Sequence, residues 1–205
     1  MGPGGVKCLR TAAFLARQPG LSVLVNALFD NPLVDLRIVL THSHAPLAEG
    51  GGIRPEVSSF ERVTKERGVP FVALDSMQSR QPHNWLPSED IDAAVVLSWR
   101  YLLPSATLRR FRVGGVNLHR GKLPEYAGAE PVRRMIEAGE RHAVITAHWI
   151  TEELDAGEIL GTVQIPIAPK PHSISAGAHA EAVKAKLVPL YAPLARLAVA
   201  AMSTC

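Results

Sequence analysis

An α/β fold in a single domain is what this sequence predicts, and three observations carry the expectation. Short apolar runs alternate with longer amphipathic stretches, the pattern of strands joined by helices. No internal repeat and no low-complexity block breaks that alternation to make a linker. A chain of 205 residues can bury one good core and does not need two. We therefore expect one domain over residues 1–205, with 170–205 a helical C-terminal segment.

Taken in order, Val6 to Leu15 predicts a first strand, weakened by Ala12-Ala13. Pro19-Gly20 opens a helix over Leu21 to Phe29, where Leu21, Leu24, Val25 and Leu28 recur at helical spacing. Asn31-Pro32 stops it. Val34 to Thr41 predicts a second strand, and His42 to Pro55, with Gly50-Gly51-Gly52 and two prolines, reads as a flexible loop. Ser59 to Arg67 predicts a helix ending at Gly68, where a left-handed backbone costs little. Val69 to Leu74 and Asp92 to Leu97 are strands, the latter leading into Ser98-Trp99-Arg100-Tyr101. Pro104 suits the first turn of a helix running to Arg110. Gly114 to His119 is a strand, Pro131 to Ala138 a helix capped by Gly139, and His142 to Thr151 and Glu158 to Ile167 are further strands. Ser175 to Met202, rich in Ala, Leu and Val, predicts a helical terminus interrupted at Pro189 and Pro193.

Composition narrows the function classes. Hydrophobic content of 47% and charged content of 20% are those of an ordinary globular protein. A formal net charge of +3, despite a pI near 9.1, is too small for a nucleic-acid field. Arg109-Arg110-Phe111-Arg112 and Arg133-Arg134 read as solvated helix faces rather than a phosphate track. Cys8 and Cys205 have no metal-ligand spacing, and nothing at this size calls for a disulfide, so a reducing compartment is expected. Met1-Gly-Pro-Gly-Gly lacks the charged-then-apolar signal pattern, and no uncharged apolar run approaches the length of a bilayer span. We expect a cytoplasmic protein without nucleic-acid or membrane partners; the oligomeric state stays open.

Asn117-Leu-His119 is the most informative stretch. Two residues apart at the end of a strand, both side chains point to one side of the sheet. An amide donor and a titratable imidazole together can polarise a carbonyl and move a proton near neutral pH. Glu152-Glu153-Leu154-Asp155-Ala-Gly157 supplies a carboxylate further along, in residues that otherwise read as simple turn chemistry. Asn117 to His119, Trp99-Arg100-Tyr101 and Thr151 to Asp155 all fall where strands end, which is where ligands gather in open α/β sheets.

Asn117-Leu-His119 followed by Leu123-Pro124 and Gly128, then His148-Trp-Ile-Thr151 and Leu154-Asp155-Ala-Gly157, resembles the folate-dependent formyltransferase family. That family includes glycinamide ribonucleotide, methionyl-tRNA and sugar N-formyltransferases and the formyltetrahydrofolate deformylases. The resemblance runs from about Val6 to Ile167 and is strong from Val116 to Leu160. It implies a Rossmann-like, mostly parallel twisted sheet flanked by helices, and N10-formyltetrahydrofolate as formyl donor to a small-molecule amine acceptor. It further implies that Asn117 donates to the developing oxyanion of the tetrahedral intermediate. His119 would assist proton transfer, and Asp155 would set the charge of the imidazole and relay protons. For the pterin end of the folate it implies Trp99, Arg100, Tyr101, Leu102 and Leu103, with Thr151, Glu152 and Glu153 of the later loop. Ordinary packing is the alternative reading for Trp99, Tyr101, Leu102 and Leu103.

Several residues depart from the family pattern. Arg120-Gly121-Lys122 stands where many relatives carry Pro-Ser-Leu. Arg10-Thr-Ala-Ala-Phe14 has no glycine where the glycinamide ribonucleotide enzyme has a phosphate loop, which argues against a nucleotide-phosphate acceptor. No tRNA-binding domain is expected, and an initiator tRNA is therefore not the expected acceptor. Thr146 to Glu153 resembles the deformylases, although their N-terminal regulatory domain is not expected here. The expected activity is therefore N-formyl transfer, with formate-releasing hydrolysis and silent folate binding as alternatives. His42-Ser-His44, with His172 or His179, invites a metal reading, but no carboxylate or thiol stands at ligand spacing, and no metal is expected. Arg54 and Arg133 read as solvated charge, or as contacts to an anionic acceptor or the folate tail.

Overall fold

A computed structural model describes residues 7–205. Strands β1 (Leu9–Leu15), β2 (Val34–His42), β3 (Phe71–Leu74), β4 (Ile91–Leu97), β5 (Phe111–His119), β6 (His142–Trp149) and β7 (Ile159–Pro166) form one seven-stranded sheet. Their order is β3-β2-β1-β4-β5-β6-β7. The first five run parallel, whereas β6 pairs antiparallel with β5, and β7 antiparallel with β6. The sequence predicted all seven strands; Val6, where the first was expected to begin, lies outside the described residues.

Burial follows pairing. A parallel strand carries helices or loops on both faces, so it reads as a continuous apolar run; all seven residues of β4 are buried. Edge strand β7 alternates between half-buried and exposed positions. The chain builds outward from β1 to β3 and then crosses back to place β4 on the other side of β1. Such a reversal opens a crevice beyond the carboxyl ends of β1 and β4. Asn117 and His119 end the neighbouring strand β5 and face that crevice.

The helices are α1 (Arg17–Val23, continued as a π turn over Leu24–Leu28), α2 (Glu56–Glu66), α3 (Ser105–Leu108), α4 (Pro131–Glu137) and α5 (Ala176–Met202). The expected interruption of the last helix does not occur: α5 is continuous over 27 residues with Pro189 and Pro193 inside it. The two prolines stand one turn apart and both are exposed. The carbonyls of Ala185 and Pro189, which lose their amide donors, therefore face solvent, and burial of the opposite face holds the helix together. That face carries Val183, Leu187, Tyr191, Leu194, Ala198 and Met202 into the core beneath the sheet. α5 is long and apolar enough to cross a membrane, with mean hydropathy 1.3 over its best 18-residue window, although 44% of that window is buried inside the protein.

A second correction concerns only the equation of Arg10 to Phe14 with a phosphate loop. These residues lie inside β1, and the turn that follows is Ala16-Arg17. The absence of glycine from Arg10–Phe14 is therefore a property of a buried strand, and says nothing about phosphate at the turn.

Asp92 ties together the amino ends of three strands. Its carboxylate is 1% exposed and accepts from Arg10 N (3.0 Å), Arg10 Nε (3.1 Å) and Arg112 Nε (2.9 Å). Those hydrogen bonds hold the carboxyl far below its usual range against the opposing effect of burial. Because the folded value is depressed, this stabilisation is complete above the ordinary carboxylate pKa and fades as pH falls below it. Asp92→Asn should lower stability by about 2–3 kcal/mol, the scale of hydrogen bonds to a charged group. A urea-unfolding midpoint unchanged at pH 7 would show that the carboxylate is not the clamp.

Candidate active site

The register of β5 against β6 sets Asn117 directly opposite His148. Asn117 Nδ2 lies 3.1 Å from His148 Nε2 and also donates to Asp155 Oδ1 at 3.3 Å. Asp155 comes from the loop after β6, which turns back tightly. A Cβ at Gly157 would stand 1.8 Å from the Trp149 carbonyl oxygen, so only glycine fits. On that loop Asp155 adopts a left-handed φ of 51°, and its Oδ2 accepts from Gly128 N at 2.9 Å and lies 3.3 Å from His119 Nδ1. The predicted trio thus converges, and His148 joins it.

Protonation follows from the partners. His148 Nδ1 faces the Trp149 carbonyl at 2.9 Å, so it carries the proton and Nε2 accepts from Asn117. Both hydrogens of the Asn117 amide are then in use, and the reverse amide orientation would set its oxygen against a carboxylate. His119 Nε2–H donates to the Tyr126 carbonyl at 2.8 Å, which leaves Nδ1 as a lone pair when the ring is neutral. Burial pushes the His119 imidazole below its ordinary value, opposed by Asp155 and the Tyr126 carbonyl. For Asp155, burial raises the carboxyl, but the close approach of the His148 ring, the hydrogen bond from the Gly128 amide and the nearby His119 outweigh it and hold it below the usual range. The resting site is a neutral base beside an ionised carboxylate.

The loop from Arg120 to Glu130 supplies the Tyr126 carbonyl and the Gly128 amide. Arg134 of α4 clamps it through the Ala127 and Glu125 carbonyls at 2.7 and 3.3 Å. At Gly121 the backbone passes close to the His119 ring: a Cβ there would stand 2.8 Å from His119 Nε2 and 2.6 Å from Pro131 Cβ. The departure at Gly121 is therefore a packing requirement.

A cleft of about 600 Å³ opens in front of these groups. Of the residues expected to hold folate, Trp99, Arg100, Tyr101, Leu102, Leu103, Thr151 and Glu153 line it. Glu152 does not: its carboxylate accepts from Ser105 Oγ at 2.6 Å, outside the lining. Trp99 both packs and lines, stacking on His42 at 4.1 Å and meeting Phe14 edge-on at 5.3 Å. Arg54 is not solvated charge, being 7% exposed in the cleft wall beside Glu49, whereas Arg133 pairs with Glu137 on the surface.

The segment from His42 to Pro55 is more ordered than a flexible loop. It carries a 3-10 turn over Leu47–Glu49 and a bridge between His44 and Ile53. His42 is committed: Nδ1–H donates to Ser79 Oγ at 2.8 Å and Nε2 accepts from Arg100 N at 3.0 Å. Burial, then the charges of Arg100, Arg54 and Arg17, hold its pKa down to about 3. Among the described residues no group of three or more His, Cys, Asp or Glu is placed to hold a metal.

Backbone strain gathers at the cleft. Arg17, Asp30, Ser98, Glu130 and Asp155 are the described non-glycine residues with positive φ, and all but Asp30 line it. Sparsely populated conformations of this kind persist where the surroundings over-determine them.

A family model described as formyl transferase matches residues 16–189. The chain belongs to that family. It is 33% identical over 145 residues to a methionyl-tRNA formyltransferase of Cutibacterium acnes, covering 71% of this chain and 45% of the relative. A second, from Parvibaculum lavamentivorans, is 32% identical over 132 residues, covering 64% and 43%. The chain thus spans less than half the length of these curated relatives. Among solved structures, a phosphoribosylglycinamide formyltransferase from Brucella melitensis superposes with TM-score 0.72 at 17% identity, over 96% of each chain. A formyltetrahydrofolate deformylase from Pseudomonas syringae gives 0.66 at 16%, over 95% of this chain and 60% of that one. At such identities the likeness is one of fold, and it confirms the Rossmann-like α/β expectation.

Two outcomes follow from the packing. Gly121→Ala should destabilise the protein by about 1–3 kcal/mol, the usual cost of overpacking, and displace the His119 ring. Unchanged thermal stability and unchanged His119 imidazole resonances would contradict the close approach. His42 has an ordinary pKa of 6.5 and a folded one near 3, so the unfolded chain takes up the proton first and stability falls as pH drops between those values. Between pH 6.5 and 5 this costs up to about 2 kcal/mol. Urea unfolding of His42→Gln should lack that loss, and an equal loss in both proteins would remove His42 as its source.

Proposed function

We propose that the chain transfers a formyl group from N10-formyltetrahydrofolate to the primary amine of a small-molecule acceptor. The observation that supports this most is the meeting of Asn117, His119 and Asp155 at the head of a cleft with one apolar wall. The walls suit a folate. Leu97, Leu103 and Ile150 offer apolar surface, and the indole N–H of Trp99 is buried without a partner, a donor available to a heterocycle. Bound there, the donor supplies an activated formyl carbon on its N10.

The chain's own groups then divide the work. Neutral His119 accepts a proton from the attacking amine at Nδ1, Asp155, ionised at 3.3 Å, stabilises the imidazolium that results, and the imidazolium returns the proton to N10 as the formyl carbon–N10 bond breaks and tetrahydrofolate leaves. The Tyr126 carbonyl fixes the ring by holding Nε2–H throughout. Asn117 turns one amide hydrogen toward the developing oxyanion, giving up the longer of its two bonds, that to Asp155 at 3.3 Å. The shorter contact to His148 keeps the amide in place.

A second acceptor, an aminoacyl-tRNA, is favoured by the identity to the two methionyl-tRNA formyltransferases. Hydrolysis to formate uses the same groups, with water replacing the amine. The deciding assay supplies N10-formyltetrahydrofolate with amino-sugars, amino acids, nucleotide amines or methionyl-tRNA, and follows tetrahydrofolate and formate separately. Amine-dependent tetrahydrofolate release without formate supports the transferase. Release of formate alone favours the hydrolase, and no folate binding removes both.

Asn117→Ala should lower kcat by about 10²–10³, and His119→Ala or Asp155→Ala by about 10²–10⁴. Wild-type turnover in any of them sinks that residue's role. Because the working form of His119 is the neutral ring and burial depresses its pKa, kcat/KM should rise with pH and level off below pH 6.5. A kcat/KM that falls as pH rises through the histidine range would mean that the ring works as an imidazolium.

A further inference from the structure

Arg120 is the residue whose place the formyl-transfer reading does not explain. It follows His119 directly and lines the same cleft, half-buried. Its guanidinium donates from Nη2 to Ser98 Oγ at a long 3.3 Å, no well-formed hydrogen bond reaches its buried Nε, and its other polar neighbour is the neutral phenol of Tyr191. No carboxylate among the described residues pairs with it. The other cations of the cleft are committed. Arg17 and Arg54 share Glu49, Lys184 is held by Glu130 and Glu181, and Arg100 spends itself on the His44 carbonyl and the Tyr101 ring.

The surroundings sharpen the contrast. Tyr191 Oη, from the core face of α5, is buried beside the guanidinium, close enough to serve it as a neutral acceptor, and supplies no counter-charge. Ser98 reaches Arg120 from a left-handed φ of 59° at the end of β4. A half-buried cation without a counter-charge is costly to a fold, and the cost is recovered when an anion arrives. Arginine suits that task, because its planar fork matches a carboxylate or phosphate through two parallel hydrogen bonds. The charge also acts on the catalytic ring, adding to the depression of the His119 pKa. An anion seated on Arg120 would thus lie beside the base that takes the amine proton.

We propose that Arg120, with Ser98, is an anion-recognition site beside His119, and that the acceptor is an amine carrying a carboxylate or a phosphate group. The second half of this inference rests on the formyl-transfer reading; the first half does not.

Two arms test it. In the first, protein labelled with ¹⁵N-arginine is titrated with acetate and with inorganic phosphate at constant ionic strength. One Nε–H resonance, missing from Arg120→Gln, should shift saturably, and the anion that binds more tightly identifies the favoured group. No saturable shift with either anion overturns the site. In the second arm, glycine is compared with methylamine, and phosphoethanolamine with ethanolamine, as formyl acceptors. The anionic member of one pair should be preferred by about 10- to 100-fold in kcat/KM, the range of a hydrogen bond to a charged group. Arg120→Gln should erase the preference chiefly through KM. Formylation of both members alike overturns this inference and leaves the formyl-transfer reading standing. A saturable shift with no amine formylated keeps the anion site and removes small-amine transfer.

Discussion

The carboxylate of Asp155 is the contact on which the rest of the site depends. It is reached by Asn117 Nδ2, the Gly128 amide and the rings of His119 and His148, from β5, β6 and the two loops that follow them. Apart from Asn117 and His119, these groups are distant along the chain, so one buried negative charge gathers the arrangement. Its position depends in turn on a left-handed backbone and on a glycine two residues later that lets the loop close on Trp149. Removing this carboxylate would release the orientation of the amide, the imidazole and the glycine-containing loop together.

The two ends of the sheet have opposite characters. At the amino ends, Asp92 satisfies Arg10 and Arg112 in well-formed charge-assisted bonds and locks β1, β4 and β5 in register. At the carboxyl ends the molecule concentrates strained backbone, unpartnered buried atoms and cations with shared or absent counter-charges. A sheet can tolerate that imbalance because the stabilising contacts lie at the far end of the same strands. What the carboxyl end lacks in internal satisfaction is available to a ligand.

Much of this was legible in the residues. Seven apolar runs separated by turn residues marked seven strands, because burial on both faces leaves a strong compositional trace. Asn117, His119 and Asp155 were visible as residue types at strand ends. His148 stood in the motif without a role, and the signal that finds it is the pairing of β5 with β6, which sets it opposite Asn117. The expected break in α5 failed because a proline's effect depends on which face it occupies, and both lie on the exposed one. Arg10 to Phe14 was read correctly as strand but also equated with a phosphate loop, because a shift of a few residues along the chain leaves little mark in composition. Glu152 was grouped with its neighbours in the folate pocket, yet Ser105 draws it away.

By itself the sequence determined the α/β class, the strands, the family resemblance and the residue types of the site, since each depends on local periodicity or short spacing. Only the tertiary structure decided which nitrogen of His42, His119 and His148 carries the proton, why residue 121 must be glycine, and that Arg120 lacks a counter-charge. Those properties belong to contacts between residues distant along the chain. Burial and hydrogen-bond geometry have no one-dimensional trace, so they exist only once the sheet, its loops and α5 close around the cleft.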